Sequence, residues 1–572
     1  MRNNTLAYLL CVLFIFINNK TLRATHEFNC ADTSGIRSLL KPKISGTINI
    51  GVWYNQKGGN APNATSIQKL DWFIQGQPTI TIANMSFPFS GVYSNNDFNY
   101  SQPFNQYGLS PSYKWATAHM GYRNLAFGSY TLSGATFLGG ALELNPGKFR
   151  FAAFYGRFNR AIEEDTNIIK TAGVTIIPAY KRVGYGIKLG VGSDVNFVDL
   201  SLIKIQDDTA SIKRPTVNYI SPSDNLLVGL SNKLKLGKHF KWEAEGAISL
   251  YTEDQQAFGN EIQNQWPQFV KPLIAVNIST TFNQAYKMLF GFGSKYIDLT
   301  GQYEYVGPNY RSLGMYYIQN DIQRYTINPG LRLWQGKLNL SGSYGLQEDN
   351  LSKLKMATTI RNVQSLNISI APFSRLNLQA TYSNFGTTQT SGKIQLNDSI
   401  RISQINASYG GTISMLFPGK LVSSNITVNV TQQSVDDLNV LTQKFSQSDV
   451  FLTTFNYGMN LSKLKLNINF GFIRAAIAMY TGDVVNVGPS LSATSSFLKN
   501  KIRVNLGTTY QERSVNGITN GNIFTVSSGL NFTILKRQLI GIRYQYTLNT
   551  TNTTSIYYLT QNRLGITYGY SF

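Results

Sequence analysis

The last eleven residues of the chain, NRLGITYGYSF (562–572), alternate from end to end. Leu564, Ile566, Tyr568, Tyr570 and Phe572 fall on one side; Arg563, Gly565, Thr567, Gly569 and Ser571 fall on the other. Period two is the strand period, because successive side chains point to opposite faces of a sheet. The stretches before it repeat the pattern. Phe524, Val526, Leu530, Phe532 and Ile534 alternate with Thr525, Ser527, Gly529, Asn531 and Thr533, and Ile540, Ile542, Tyr544, Tyr546 and Leu548 with Gly541, Arg543, Gln545, Thr547 and Asn549. Lys536-Arg537-Gln538 separates these two runs, which read as a hairpin with a basic turn.

Further back the same unit recurs: a tight turn carrying Lys or Arg, then an alternating strand. It begins at Gly336 (GKLNLSGSY), Ser374 (SRLNLQATY), Gly419 (GKLVSSNITVNV), Ser462 (SKLKLNINFGF), Asn500 (NKIRVNLGTTY) and Lys536 (KRQLIGIRYQY). The basic markers Lys337, Arg375, Lys420, Lys463, Lys501 and Arg537 are 38, 45, 43, 38 and 36 residues apart. That step fits one strand up, a loop, one strand down and a short turn. Looser copies stand at Gly147 and Gly237. Longer polar connections fall between the turns, at 158–178, 251–268, 384–400 and 431–448.

At the other end of the chain, Arg2 precedes an apolar run from Leu6 to Ile17, and Asn18-Asn19-Lys20 restores polarity. The run is too short to span a bilayer as a helix and has the layout of a secretory signal peptide, 1–24, cleaved after Ala24. Cys11 lies inside the apolar run, so the mature chain would keep one cysteine, Cys30, and no intrachain disulfide. No later stretch approaches the length of a membrane-spanning helix. Yet 13% of residues are aromatic and only 14% are charged, against about a quarter charged in soluble proteins. No linker or compositional break appears after about residue 44.

These features predict an all-β fold: a large transmembrane antiparallel up-and-down β-barrel over 44–572, preceded by a short periplasmic segment, 25–43. Hydrocarbon offers no partner to a backbone N–H or C=O, so the sheet must close. Short turns would face the periplasm and long loops the cell surface. At roughly 40 to 45 residues per hairpin the barrel has about 24 strands, within about 20 to 26. The register is weakest between 77 and 135. The chain resembles Gram-negative outer-membrane β-barrel proteins as a class. Its final strand, Leu564, Ile566, Tyr568, Tyr570 and Phe572, resembles the C-terminal signal read by the barrel-assembly machinery. The resemblance implies a cell outer-membrane location, contact with the lipid bilayer and lipopolysaccharide, and the assembly machinery as a partner during insertion.

A barrel that wide has a lumen its wall cannot fill. Lys465, Asn467, Asn469, Arg503, Asn505, Arg543 and Gln545 lie on the polar faces of their strands and are the candidate lumen lining. A formal charge of +22 would bias a channel or transporter of polar solutes toward anions, unless the basic residues sit only on turns and rims. A secretion or surface-assembly conduit, and a loop-based adhesin, remain alternatives. A plugged transporter resembling the TonB-dependent class would need its plug between 44 and 135; within that span, the stretch from Ser86 (SFPFSGVYSNNDFNYSQPFNQYGLSPSYKW) reads as a surface loop in preference to an inserted constriction. No enzyme is expected. Of three histidines, His26, His119 and His239, only His119 has polar neighbours, and no Ser or Asp partner can be picked for it. Glu163-Glu164-Asp165, Asp207-Asp208 and Asp436-Asp437 read as solvated loop acids. GYGIKLGVG from Gly184 has no helix after it and is rejected as a nucleotide loop. No cofactor, metal or nucleic-acid site is expected.

Overall fold

The computed structural model describes residues 41–60, 66–95, 103–164, 177–258, 272–391, 401–552 and 556–572. The expected signal peptide, Cys11, His26, Cys30 and Asp165 lie outside them. Among the described residues every strand belongs to one antiparallel sheet, and the sheet closes on itself. Thr47–Gly59 pairs with Ile556–Ser571 through thirteen register pairs, from Thr47 opposite Ser571 to Gly59 opposite Leu559. The amide of Phe572 donates to the Gly46 carbonyl at 3.0 Å, so the last residue fastens the seam.

The 29 strand segments form 26 staves, because three staves are each interrupted once. One breaks at Gly46, between Lys43–Ser45 and Thr47–Gly59; one at Gln77-Pro78, between Ile67–Gly76 and Thr79–Ile82; one at Ser110-Pro111, between Gln106–Leu109 and Ser112–Tyr113. The breaks are neighbours. Gly46 has φ 108°, and a Cβ there would lie 2.2 Å from the Gln77 carbonyl oxygen. The Phe89 amide donates to Pro78 and the Ser110 amide to Pro88. Proline has no N–H to give the ladder, so the strands jog where the prolines fall.

The expectation of about 24 strands is corrected to 26, at the top of the estimated span. Its shortfall lies in the stretch where prolines spoil the alternation. The stretch from Ser86, expected to be one loop, supplies wall instead: Met85–Ser94, Gln106–Leu109 and Ser112–Tyr113 are strands. Two of the long connections are shorter than expected, and a third is longer and ends later in the chain. The strand Leu376–Ser391 and the strand Val422–Asp437 run on into the expected loops, and the connection after Phe240–Thr252 extends to 279. The rim with the longer connections also carries tight turns, such as Asn516-Gly517, where both residues have positive φ, the signature of a two-residue hairpin.

Register fixes the two faces all the way round the ring. Leu564, Ile566, Tyr568 and Tyr570 share the outer face with Val52, Ile50, Ile540 and Ile542 through direct pairing. Outer faces elsewhere present exposed Val198, Leu200, Leu202, Phe282, Met288 and Phe290. Cross-strand tyrosines stack on that face, Tyr286 on Tyr305 at 5.2 Å and Tyr303 on Tyr325 at 4.8 Å between centroids, as in the aromatic girdles of membrane barrels. The inner face carries Gly565, Thr567 and Gly569 opposite Trp53, Gly51 and Asn49.

This arrangement predicts a face-specific response to charge. Ile566→Arg should cost roughly 2 to 4 kcal/mol in a bilayer, and Thr567→Arg, flanked by Gly51 and Gly541, much less. The heat-modifiable gel shift of membrane fractions reads the difference. Equal folded yield for both variants would contradict the assignment of faces.

Candidate permeation path

Six of the seven candidate lumen residues sit on the inner face. Asn467 and Asn469 belong to Leu466–Met479, Arg503 and Asn505 to Ile502–Val515, and Arg543 and Gln545 to Gln538–Asn552. They share one parity: Asn469 pairs with Ser492, Ser492 with Gly507, Gly507 with Ser527, and Ser527 with Gln545. Lys465 is the exception. It lies in the turn before its strand with φ 48°, which takes it out of the alternation. Its Nζ donates to Asn500 Oδ1 of the next turn at 3.1 Å.

Glycines on this inner wall let large side chains lie flat. A Cβ on Gly565 would lie 2.3 Å from the Trp53 ring. The Arg563 guanidinium lies over that indole, 4.6 Å from its centroid, a cation–π contact. Arg503, Arg543, Arg563 and Lys57 stand on this wall without a carboxylate opposite them. Arg543 is flanked by Gly529 and Gly565, Arg563 by Gln545 and Asn55, Arg503 by Ser496 and Asn531, and Lys57 by Gln561 and Ile67. The acid nearest by register, Asp71, is held by Lys69 at 3.0 Å.

The opposite wall is built differently. Glu245, Lys287, Glu304 and Arg324 follow one another in register across four staves, alternating in sign. Lys287 lies 3.6 Å from Glu245, and Arg324 lies 3.1 Å from Glu304. Lower on the same side, Arg150 makes a bidentate pair with Asp199 at 2.8 and 3.1 Å. In these pairs positive and negative charge offset one another.

Two connections enter the barrel and pack on the charged wall. Residues 125–135 place Phe127 and Leu132 among Phe137, Phe154, Phe158, Ile203, Ile205 and Leu227, all buried. Residues 307–321 lie against them. Tyr310 donates to the Tyr130 carbonyl at 2.6 Å, Ser312 to the Thr131 carbonyl at 2.5 Å, and the Leu313 amide to Asn225 Oδ1 at 3.0 Å. The wall holds the first segment directly: Glu245 accepts the Ser129 amide at 3.0 Å, and Tyr130 donates to Glu304 at 2.9 Å. This crossing was not foreseen from the sequence. Its only local sign is LAFGSYTLSGA (125–135), apolar and small but not alternating. Of the span 44–135 where a plug was sought, the described residues as far as Asn124 are wall, and the segment 125–135 turns inward.

The remaining polar candidates are structural ties. His119 is bracketed on the inner face, Nδ1 2.9 Å from Ser110 Oγ and Nε2 3.2 Å from Glu143 Oε2. The order of groups resembles a charge relay. The Ser110 amide, however, already donates to Pro88 and the next residue is Pro111, so neither supplies an oxyanion donor. His239 Nδ1 contacts the Gly293 carbonyl across a turn. Glu164 accepts the amides of Thr216, Val217 and Asn218, which lower its pKa, the Asn218 bond most. Asp207 pairs with Arg182 at 2.8 Å, and Asp437 accepts from Thr442 at 2.6 Å and from Asn439 at 2.9 Å. These acids staple rim loops. The glycine-rich run from Gly184 is part of the strand Arg182–Gly192. Among the described residues no group of three or more potential metal ligands forms.

No family model matches the chain, and no curated protein does. Among solved structures the chain is similar to Gram-negative outer-membrane β-barrels. They include the translocation pore of the P pilus usher PapC (8% identity, TM-score 0.40, covering 92% of this chain and 100% of that one). Acinetobacter baumannii OccAB2 follows at 10% identity and TM-score 0.29, covering 92% and 98%. OmpT, an outer membrane protein of Vibrio cholerae, shows 12% identity and TM-score 0.24, covering 66% and 100%. Superpositions this loose carry no inference about residues or activity.

Leu132 is fully buried in the crossing. Leu132→Ala should cost about 2 to 5 kcal/mol and lower the temperature at which the folded gel band disappears. An unchanged temperature would mean that the crossing is not packed on the wall.

Proposed function

We propose that the chain is an outer-membrane pore for polar solutes with a preference for anions, a conduit and not an enzyme. The observation that carries this reading is the wall of Arg503, Arg543, Arg563 and Lys57, cations on the inner face with no acid opposite. Beside a low-dielectric wall such charge raises the local concentration of anions. Its field reaches about 10 Å at 0.1 M salt, so the bias should weaken as salt rises. The rim of tight basic turns would face the periplasm. The outer face would meet lipid and lipopolysaccharide, and the final strand would be handed to the barrel-assembly machinery.

Purified protein in a planar bilayer under a salt gradient should show a steady current and a reversal potential of anionic sign. Replacing Arg503, Arg543 and Arg563 together by Gln should move that potential toward zero. Cation preference in the parent, or an unmoved potential in the variant, would defeat the reading. Orientation has its own check. In a Cys30→Ser background, cysteines at Lys337, Arg375, Lys463 or Arg537 should resist an impermeant thiol reagent on intact cells, while cysteines at 438–441 should react. The reverse pattern would turn the barrel over.

A further inference from the structure

Between the inner wall and the two entering segments lies a cavity of about 370 Å³, lined by Ser129, Tyr130, Lys287, Gln302, Glu304, Val306, Met315, Tyr317, Ile318, Gln319, Ile322 and Arg324. Its two sides differ in chemistry. On the wall side the alternating row brings Lys287, Glu304 and Arg324 onto three successive staves. On the side of the entering segment, Met315, Tyr317 and Ile318 offer apolar surface, with Tyr317 79% exposed.

We infer that this cavity binds a small zwitterion with an apolar body, of the size of an apolar amino acid. The ionised groups have capacity beyond the bonds they already make. Glu304 uses one oxygen for Tyr130 and the other for Arg324, and each carboxylate oxygen has a second lone-pair site. Lys287 donates to Ser129 at 2.9 Å and approaches Glu245 at 3.6 Å, which leaves a third N–H. A ligand ammonium on Glu304 and a ligand carboxylate on Lys287 would each find an opposite charge one stave apart. Neither would leave the wall with an uncompensated charge. A simple anion would satisfy Lys287 while meeting Glu304 beside it, and a simple cation on Glu304 would meet Lys287 on one side and Arg324 on the other. The alternation therefore selects for a molecule carrying both signs, and the face of Tyr317 and Ile318 for one with an apolar substituent.

Equilibrium binding tests this without reference to conduction. Calorimetric titration of the detergent-solubilised full chain would compare leucine with 4-methylpentanoate and 3-methylbutylamine, which keep the body and one charge each. Leucine should bind tighter than either by about tenfold or more, the worth of one charge-assisted hydrogen bond. Glu304→Gln should abolish the advantage of leucine over 4-methylpentanoate. Tyr317→Ser, on an exposed side chain, should weaken leucine and leave glycine unchanged, and it keeps the test open if Glu304→Gln lowers the folded yield. Binding of 4-methylpentanoate as tight as leucine, no saturable binding of leucine, or leucine affinity unmoved by either variant would overturn the inference. A channel that conducts anions but shows none of these differences would lack the site and still be a pore.

Discussion

Closure of the hydrogen-bond ladder is the constraint on which the molecule depends. Thirteen pairs join Thr47–Gly59 to Ile556–Ser571, residues about as distant in sequence as the chain allows. In hydrocarbon each unpaired backbone group would cost several kcal/mol. An open edge there would leave a whole row of such groups, so the seam is required before any other contact is useful. The same demand explains why alternation is so strict in Ile556–Ser571, a strand that is both wall and fastening.

Closure creates an interior, and the interior is divided unequally. The wall from Ala116–Asn124 to Ile322–Leu333 carries paired charges and receives both entering segments. The wall from Ile502–Val515 round to Ile67–Gly76 carries cations among Asn, Ser, Thr and Gly. Paired charges suit the first side because a segment laid across them needs donors and acceptors at fixed places, which Glu245 and Glu304 supply. Among the described residues no segment is laid across the second side.

The outer architecture was legible because it is written locally. A period of two, basic turns and a terminal aromatic need no knowledge of distant residues, and Asn467, Arg503 and Arg543 follow from parity alone. Lys465 was misread because a positive φ in the turn is not visible in a polar/apolar pattern. The first staves blurred because Pro78, Pro88 and Pro111 interrupt the very alternation by which strands are recognised. The crossing was illegible for a deeper reason. Phe127 and Leu132 are core residues only because Phe154, Ile203 and Ile205 come to meet them, and that meeting depends on the curvature of the completed barrel.

The wall is not of even height. Ala357–Phe373 and Ile518–Leu535 have 17 and 18 residues, Ala116–Asn124 and Thr136–Leu144 nine each. At about 3.4 Å per residue and a tilt of about 40°, nine residues rise about 23 Å, slightly short of a hydrocarbon band about 25 Å thick, while seventeen overshoot it. The taller side accordingly turns polar outside towards its far end, at Asn362, Gln364, Asn384, Gln432 and Asp436. Hydrophobic mismatch is thus built in around a single circumference. Bilayer thickness is set by the short staves, which have no surplus, so a thicker membrane would pinch or tip the barrel toward that flank while the tall flank stood unaffected, like a lip raised above the surface.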